Sequence, residues 1–446
     1  MKSHYEDVIV SKFGGTSLAD AEQFRKVAAI VGSNPQRKLI IVSAPGKRSP
    51  DDKKITDLLY LCHTLVQQGL NPAFAFDIIR ERYTAIADEL GCHDVADHLH
   101  DIQEKIQGGA NKDWVASRGE FLTARLMASH LNATFVDAAD CIVFGPDGRF
   151  IADDTYSRCG RRFEREMQEN PDRPIVVPGF YGADVRGQIV CFSRGGSDVS
   201  GAIVARSVGA SVYENWSDVS GLLMADPRLI DSPKSIPEVT YREQRELSYM
   251  GATILHDEAV FPVREAGIPI HLLNTNDPSA PGTRIVTTRD ASRSTVVGVA
   301  GKTGFTALFT EKALMNSALG YGRRMLEIIE SAGVPYEHAP TSIDSMSVFV
   351  RDQDLAGKEE KIVQEIINVL RPDRLEVYKD LALIATVGEG MIHKVGMAGR
   401  LFMALANARV NVRMIDQGAS EISIIVGVAA SDFTTAMRAI YDAFLE

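Results

Sequence analysis

A chain of 446 residues with a net charge of −11 and a pI near 5.5 lacks the basic face that nucleic acid or an anionic membrane would demand. Its 45% hydrophobic and 24% charged residues describe a globular protein with ample core, long enough for about three domains, or one large and two small. Five scattered cysteines without a C-x-x-C pair argue against a disulfide framework or a zinc site. No apolar signal core opens MKSHYEDVIV and no run reaches transmembrane length, so a cytoplasmic protein is expected.

The first element is an apolar β-branched run, Val8 to Val10, which reads as a parallel strand buried on both faces. It breaks at Lys12-Phe-Gly14-Gly15-Thr16-Ser17, where the paired glycines let backbone pass close to a ligand. Ser17 with Asp20 reads as a helix start, so strand, glycine turn, lysine and helix N-terminus together can hold phosphate oxygens. The pattern is not the Walker loop, because Lys12 precedes the glycines. A second strand, KLIIVSAPG, ends at Ser43-Ala-Pro-Gly46; a polar excursion then leads to a helix beginning at Thr56. Residues 72–107 read as mainly helical, without visible chemistry. Ser117-Arg-Gly-Glu120 reads as a carboxylate at a helix start. Strands are expected at 133–137, 141–145, 174–178 and 211–215, alternating with helices in an α/β sandwich with a largely parallel sheet.

Residues 287–294 read as a linker, and beyond them the chain repeats itself. At an offset of 76, Met315 matches Met391, Thr310 Thr386, Gly320 Gly396, Arg324 Arg400 and Val334 Val410. Met346–Val350 and Ile422–Val426 coincide at the same offset, so two small α+β units are expected to pack on one another.

Phe192-Ser-Arg194-Gly195-Gly196-Ser197-Asp198 precedes a helix, and Glu214-Asn-Trp-Ser217-Asp218 leads into Asp226-Pro-Arg228. Motifs at the carboxyl ends of strands mark the edge where open α/β sheets bind ligands. Two Gly-Gly loops, a lysine, an Arg/Glu pair and a downstream aspartate suggest a nucleotide opposite a small zwitterion. In this order the motifs resemble those of the aspartate kinases, of the amino-acid kinase fold. Asn274-Thr-Asn-Asp-Pro278 is similar to that family's catalytic ending, and Gln417-Gly-Ala-Ser-Glu421 to the signature of its second ACT unit. The resemblance implies a three-layer kinase domain at 1–286, a first ACT-like domain at 305–375, and a second (βαββαβ) built from 295–304 and 376–446. Two positions depart from the family pattern: Leu223-Met224-Ala225 precedes Asp226, and Thr253 replaces the lysine of its G-A-K-x-L-H motif.

The resemblance further implies transfer of the ATP γ-phosphoryl group to the β-carboxylate of L-aspartate, with Mg bound mainly through ATP. Lys12, Gly15, Gly195, Gly196 and Asp198 would act at the phosphoryl group, Asp198 by orienting Lys12 and a magnesium-bound water. Arg194 and Glu120 would hold the aspartate α-carboxylate and ammonium, helped by Ser43, Thr56 and Ser197. Lys12, Gly14, Gly15, Ser17, Ser217, Asp218, Asp226 and Arg228 would serve the nucleotide. Met315, Ser317, Gly320, Gly322, Ser342 and Asp344 resemble an amino-acid effector pocket, lysine by family likeness. That pocket would form between subunits of a homodimer or dimer of dimers. A fused homoserine dehydrogenase is not expected, because the chain stops after the second unit. A catalytically weak amino-acid sensor is the alternative; intact Lys12, Glu120, Arg194 and Asp198 count against it.

Overall fold

The computed structural model describes residues 7–92, 95–193, 195–252, 255 and 257–445, without the side chains of 257 and 258. The chain forms two compact units. The first comprises Met1–Leu222, Pro237–Tyr241 and Ile254–Arg289; the second comprises Leu223–Ile236, Arg242–Thr253 and Asp290–Glu446. The segments 223–236 and 242–253, expected in a kinase domain at 1–286, therefore group with the C-terminal unit. Hydrogen bonds explain it: Val299 N–H donates to Met224 O at 2.7 Å, and Glu389 N–H to the Glu243 carboxylate at 2.7 Å.

The first unit opens with β1 (Ile9–Phe13), α1 (Ala21–Gly32), β2 (Arg37–Val42), α2 (Ile55–Gln67), α3 (Ala73–Leu90), α4 (Val95–Gln107) and α5 (Lys112–Leu131). It continues through β3 (Thr134–Phe135), β4 (Val143–Phe144), α6 (Ala152–Glu169), β5 (Ile175–Pro178), β6 (Tyr181–Asp184) and β7 (Ile189–Cys191). Then come α7 (Gly196–Val208), β8 (Val212–Ser217), β9 (Glu238–Thr240), α9 (Asp257–Glu265), β10 (Ile270–Asn274) and β11 (Thr283–Val286), while α8 (Tyr241–Tyr249), between β9 and α9 in the chain, groups with the second unit from Arg242 on. The main sheet runs β3-β5-β2-β1-β8-β10-β11-β9, and every neighbouring pair is parallel except β10–β11. Phe13 and Trp216 stack toward a core supplied by α1 to α5. Lys12 and Asn215, paired across β1 and β8, point to the opposite face, where α7 lies.

Two helix starts differ from expectation. Ser17 falls in a 3-10 turn, Gly15–Leu18, and α1 begins after Asp20, whose carboxylate accepts Gln23 N–H at 3.0 Å. Ser117–Glu120 lies inside α5, not at its start, because Asn111 caps that helix through Trp114 N–H at 2.7 Å. Glu120 is thus presented from a helix flank and not from the carboxyl edge of a strand.

The second unit contains β12 (Gly298–Glu311), α10 (Tyr321–Ser331), β13 (Tyr336–His338), β14 (Ser345–Arg351), α11 (Asp352–Leu355), α12 (Glu359–Leu370) and β15 (Arg374–Val387). It ends with α13 (Met397–Asn407), β16 (Met414–Asp416), β17 (Ser423–Ala429) and α14 (Phe433–Phe444). One antiparallel sheet, β13-β14-β12-β15-β17-β16, carries two apolar cores. One lies under α10 and α12, the other under α13 and α14. The offset of 76 holds as far as Val334 and Val410, which make equivalent bonds to Ile329 O and Leu405 O. It then lengthens: Ser345 and Ser423 open matching strands, and His338 precedes its counterpart Asp416 by 78 residues. Two extra residues in 411–413 break the constant register expected for the repeat. His338 Nδ1 and Asp416 Oδ2 lie 2.6 Å apart, so the sheet curls until its two outermost strands meet. Among the described residues no helix is long and apolar enough to cross a membrane.

Candidate active site

The sequence runs its first strand straight into Gly14-Gly15, and the consequence is a close crossing of two loops. Gly46 N–H donates to Gly15 O at 2.7 Å. A Cβ on Gly15 would stand 2.8 Å from Ala44 O, so only glycine lets the turn after β1 meet the turn after β2. Gly14 N–H donates to Trp216 O at 2.9 Å, tying the same turn to β8.

Lys12 lies beneath this crossing and is buried. Its ammonium meets Asp198 Oδ1 at 2.7 Å, and an added Cβ on Gly14 would be 3.7 Å from it. Asp198 sits in the first turn of α7, N-capped by Gly195, with Gly196 and Ser197 beside it. A helix start of this kind directs free N–H groups outward and favours negative charge. The cation and the helix terminus thus converge on one spot, as phosphate binding requires.

Glu120 comes from the other side. Its carboxylate accepts Ala44 N–H, yet Oε2 is buried without a partner. Burial pushes its pKa up to about 7, against smaller lowering contributions from the Ala44 and Glu120 amides and Arg118. A buried, half-satisfied carboxylate is a receptor for a cation. Gly119 permits the approach, since a Cβ there would lie 2.7 Å from Ala44 Cβ. Ser117 and Arg118 face away: Arg118 donates to Ser117 Oγ at 2.9 Å and stacks on Trp114, Phe121 and Tyr181.

Ser43 is half-buried at the end of β2, its N–H on Phe13 O at 3.2 Å; Thr56 lies in the first turn of α2. Ser17 is buried, its hydroxyl 2.7 Å from that of Thr275. Ser217 ends β8, and Asp218 follows it exposed. Lys12, Gly14, Gly15, Ser43, Glu120 and Gly195–Asp198 are joined by these contacts. Asp226 and Arg228 belong to the second unit, as a 2.6 Å ion pair on a cavity of 690 Å³. Arg194 and Thr253 lie outside the described residues.

In the second unit the residues singled out for an effector form two facing loops. Asn316 N–H donates to Ile343 O at 3.1 Å and Lys312 N–H to Asp344 O at 2.7 Å. Met315 is buried; Ser317, Ser342 and Asp344 are exposed; Gly320 caps α10, with Gly322 in its first turn.

Residues 7–274 match the amino acid kinase family and residues 384–444 an ACT domain. Aspartokinase 3 of Bacillus subtilis (strain 168) is 40% identical over 452 residues, covering 98% of both chains. The chain belongs to the aspartokinase family. The crystal structure of Clostridium acetobutylicum aspartate kinase, an allosteric enzyme, superposes with a TM-score of 0.92 at 48% identity, covering 98% of this chain and 100% of that one. E. coli aspartokinase III, in complex with lysine and aspartate, shares the fold at a TM-score of 0.74 and 24% identity, covering 99% and 100%. As an aspartokinase the chain is an ATP-dependent, allosteric kinase with ACT regulation.

Several supports of this aspartokinase site escaped the sequence reading. Buried Arg82, on α3, donates to Gly46 O at 3.1 Å and to Ala19 O at 3.4 Å, and pairs with Asp52. Tyr83 donates to Gly119 O at 2.6 Å. Neither sits in a turn or near a glycine, so no local signal marked them. Asn215 and Thr275 stood within motifs already noted, and only their spatial partners reveal their use.

Proposed function

We propose that the enzyme transfers the γ-phosphoryl group of MgATP to the β-carboxylate of L-aspartate, forming 4-phospho-L-aspartate and ADP. The observation that carries this reading is the pair of buried Lys12 with half-buried Asp198 at the glycine crossing, with the unpartnered Glu120 oxygen brought to the same crossing from α5. A carboxylate acceptor with a pKa of about 4 is already ionised at neutral pH, so no general base is required. The barrier is the approach of two anions and the charge on the transferring group. Lys12 answers the charge, and the amides of Gly15, Gly195 and Gly196 supply donors, that of Gly14 being held by Trp216 O. Glu120 takes the substrate ammonium, with Ser43, Thr56 and Ser197 as auxiliary contacts and Arg194 for the α-carboxylate. Magnesium enters on the ATP phosphates, and Asp198 is the carboxylate at hand for one of its waters. Ser17, Ser217 and Asp218 are assigned to the nucleotide.

For regulation we infer an amino acid bound at Met315–Gly322 with Ser342 and Asp344, its ammonium on the Asp344 carboxylate. The E. coli enzyme solved with lysine makes lysine the first candidate. Exposed Leu314, Leu319 and Ile343 around these loops favour a second copy of the chain as the other wall, hence a homodimer at least. The test is ADP release from MgATP and L-aspartate with and without L-lysine. Aspartate-dependent turnover suppressed by lysine supports both halves; lysine binding without turnover would replace the kinase reading by a sensor.

A further inference from the structure

β8 lays two side chains against the start of α7, and both end on Asp198. Tyr213 OH donates to Asp198 O at 3.1 Å. Two residues on, and therefore on the same face of the strand, Asn215 Nδ2 donates to Asp198 Oδ1 at 2.7 Å. That oxygen is also the one that meets Lys12 Nζ, at the same 2.7 Å. Lys12 and Asn215 are cross-strand partners on β1 and β8, and both are buried. Asp198 therefore has its main-chain carbonyl and its carboxylate held by one strand, with the catalytic lysine as third contact. Across β8, Glu214 faces the other way, onto Ser11, Arg37 and Trp216.

We propose that Asn215 is a positioning residue for phosphoryl transfer: its amide shares Asp198 Oδ1 with Lys12. In this way it holds the carboxylate in place and draws off part of its charge, leaving Lys12 a stronger cation toward the phosphoryl group. This rests on the role given above to Lys12. An amide suits the place because it donates a hydrogen bond without adding charge. A lysine already neutralised by a full ion pair attracts phosphate less; one whose counter-ion is divided attracts it more. The groups that face position 215 among the described residues are Asp198 from α7, Lys12 from β1 and Tyr213 from β8. Its partner on β10, Leu272, is apolar.

Two substitutions of Asn215 in the full chain test the idea. Asn215→Leu deletes the donor and is expected to lower kcat about tenfold with the aspartate KM within about twofold, since the lost effect acts on transferring charge. Asn215→Asp sets a second carboxyl beside Asp198. Protonated, it donates as the amide did; ionised, it repels. A neighbouring like charge raises its pKa, so kcat in this variant should fall at least about fivefold between roughly pH 6 and pH 8.5, beyond any change in the wild type. A parallel pH profile in wild type and Asn215→Asp, with wild-type kcat in Asn215→Leu, overturns the proposal. If Asn215→Leu does not fold, as judged by thermal unfolding, the pH profile of Asn215→Asp decides alone. Should Lys12→Ala keep full turnover, the role of Lys12 fails and this proposal with it; loss in Lys12→Ala with unaffected Asn215 variants sinks this proposal only. Should the chain release no ADP with aspartate, acetylation of Lys12 by acetic anhydride, read by mass spectrometry, replaces kcat. Slower labelling in Asn215→Asp than in wild type at about pH 8.5 then supports the shared contact, because an ionised neighbour holds the ammonium protonated; equal labelling overturns it.

Discussion

Lys12 and Glu120 do opposite things with burial. Lys12 is buried with a carboxylate partner; Glu120 is buried with one oxygen bare and resists ionising. Removing the first, as Lys12→Ala, should lower kcat about 10²-fold or more, the scale of one lost electrostatic donor at a transition state. ADP release under saturating aspartate measures it, and near wild-type turnover would sink the assignment. For Glu120 the folded pKa of about 7 stands above the ordinary 4.5. Its burial therefore costs nothing below the ordinary value, and the cost is complete above about 7, on the order of 3 kcal/mol. Glu120→Gln should melt higher than the wild type near pH 8 and equal to it below about pH 4.5. The same sign predicts that the aspartate KM of the wild type rises as pH falls through about 7, since an ammonium binds the ionised carboxylate. A flat KM from about pH 6 to 8 would remove Glu120 from the aspartate site.

The elements meet where side chains are smallest. α5 approaches the turn after β2 at Gly119, and Gly119→Ala would place a methyl 2.7 Å from Ala44 Cβ and 3.4 Å from Ile55 and Leu59. The helix must then retreat, at about 1–3 kcal/mol. Withdrawal of Glu120 from Ala44 should raise the aspartate KM more than it lowers kcat. Ala44→Gly in that background should recover part of both, read by thermal unfolding and steady-state kinetics; no recovery would mean that the collision is not what matters. How much of this was legible in sequence depends on where the information sits. β1 and its glycine turn announce themselves in a dozen consecutive residues, and the parallel sheet follows from alternation. The start of α5 was misplaced because Ser117 imitates a cap, whereas Asn111 makes the bond. Arg82 and Tyr83 were invisible: an arginine and a tyrosine on a helix declare their partners only in space.

In the regulatory unit two repeats share one sheet, and the spacing between equivalent residues changes part-way. The constant offset that sequence comparison favours was carried by its first strand and helix; two residues in 411–413 then shift everything beyond. Among the consequences is that Asp344 corresponds to buried Ile422, whose carbonyl accepts Gly388 N–H as that of Asp344 accepts Lys312 N–H. The first repeat thus offers a carboxylate where the second has a hydrocarbon. Asp344→Ala should raise the lysine concentration for half-inhibition at least about tenfold, or 1.4 kcal/mol, with uninhibited kcat within about twofold. Unchanged inhibition would move the effector elsewhere.

His338 and Asp416 occupy the same place in their respective repeats and touch each other. In a homodimer of a single repeat that contact would fall on the dyad, and every residue on a dyad faces its own copy. Imidazole would meet imidazole, or carboxylate carboxylate. Joining the repeats in one polypeptide frees the two halves to diverge, and here they have become an acid and a base at a point where perfect symmetry would forbid it.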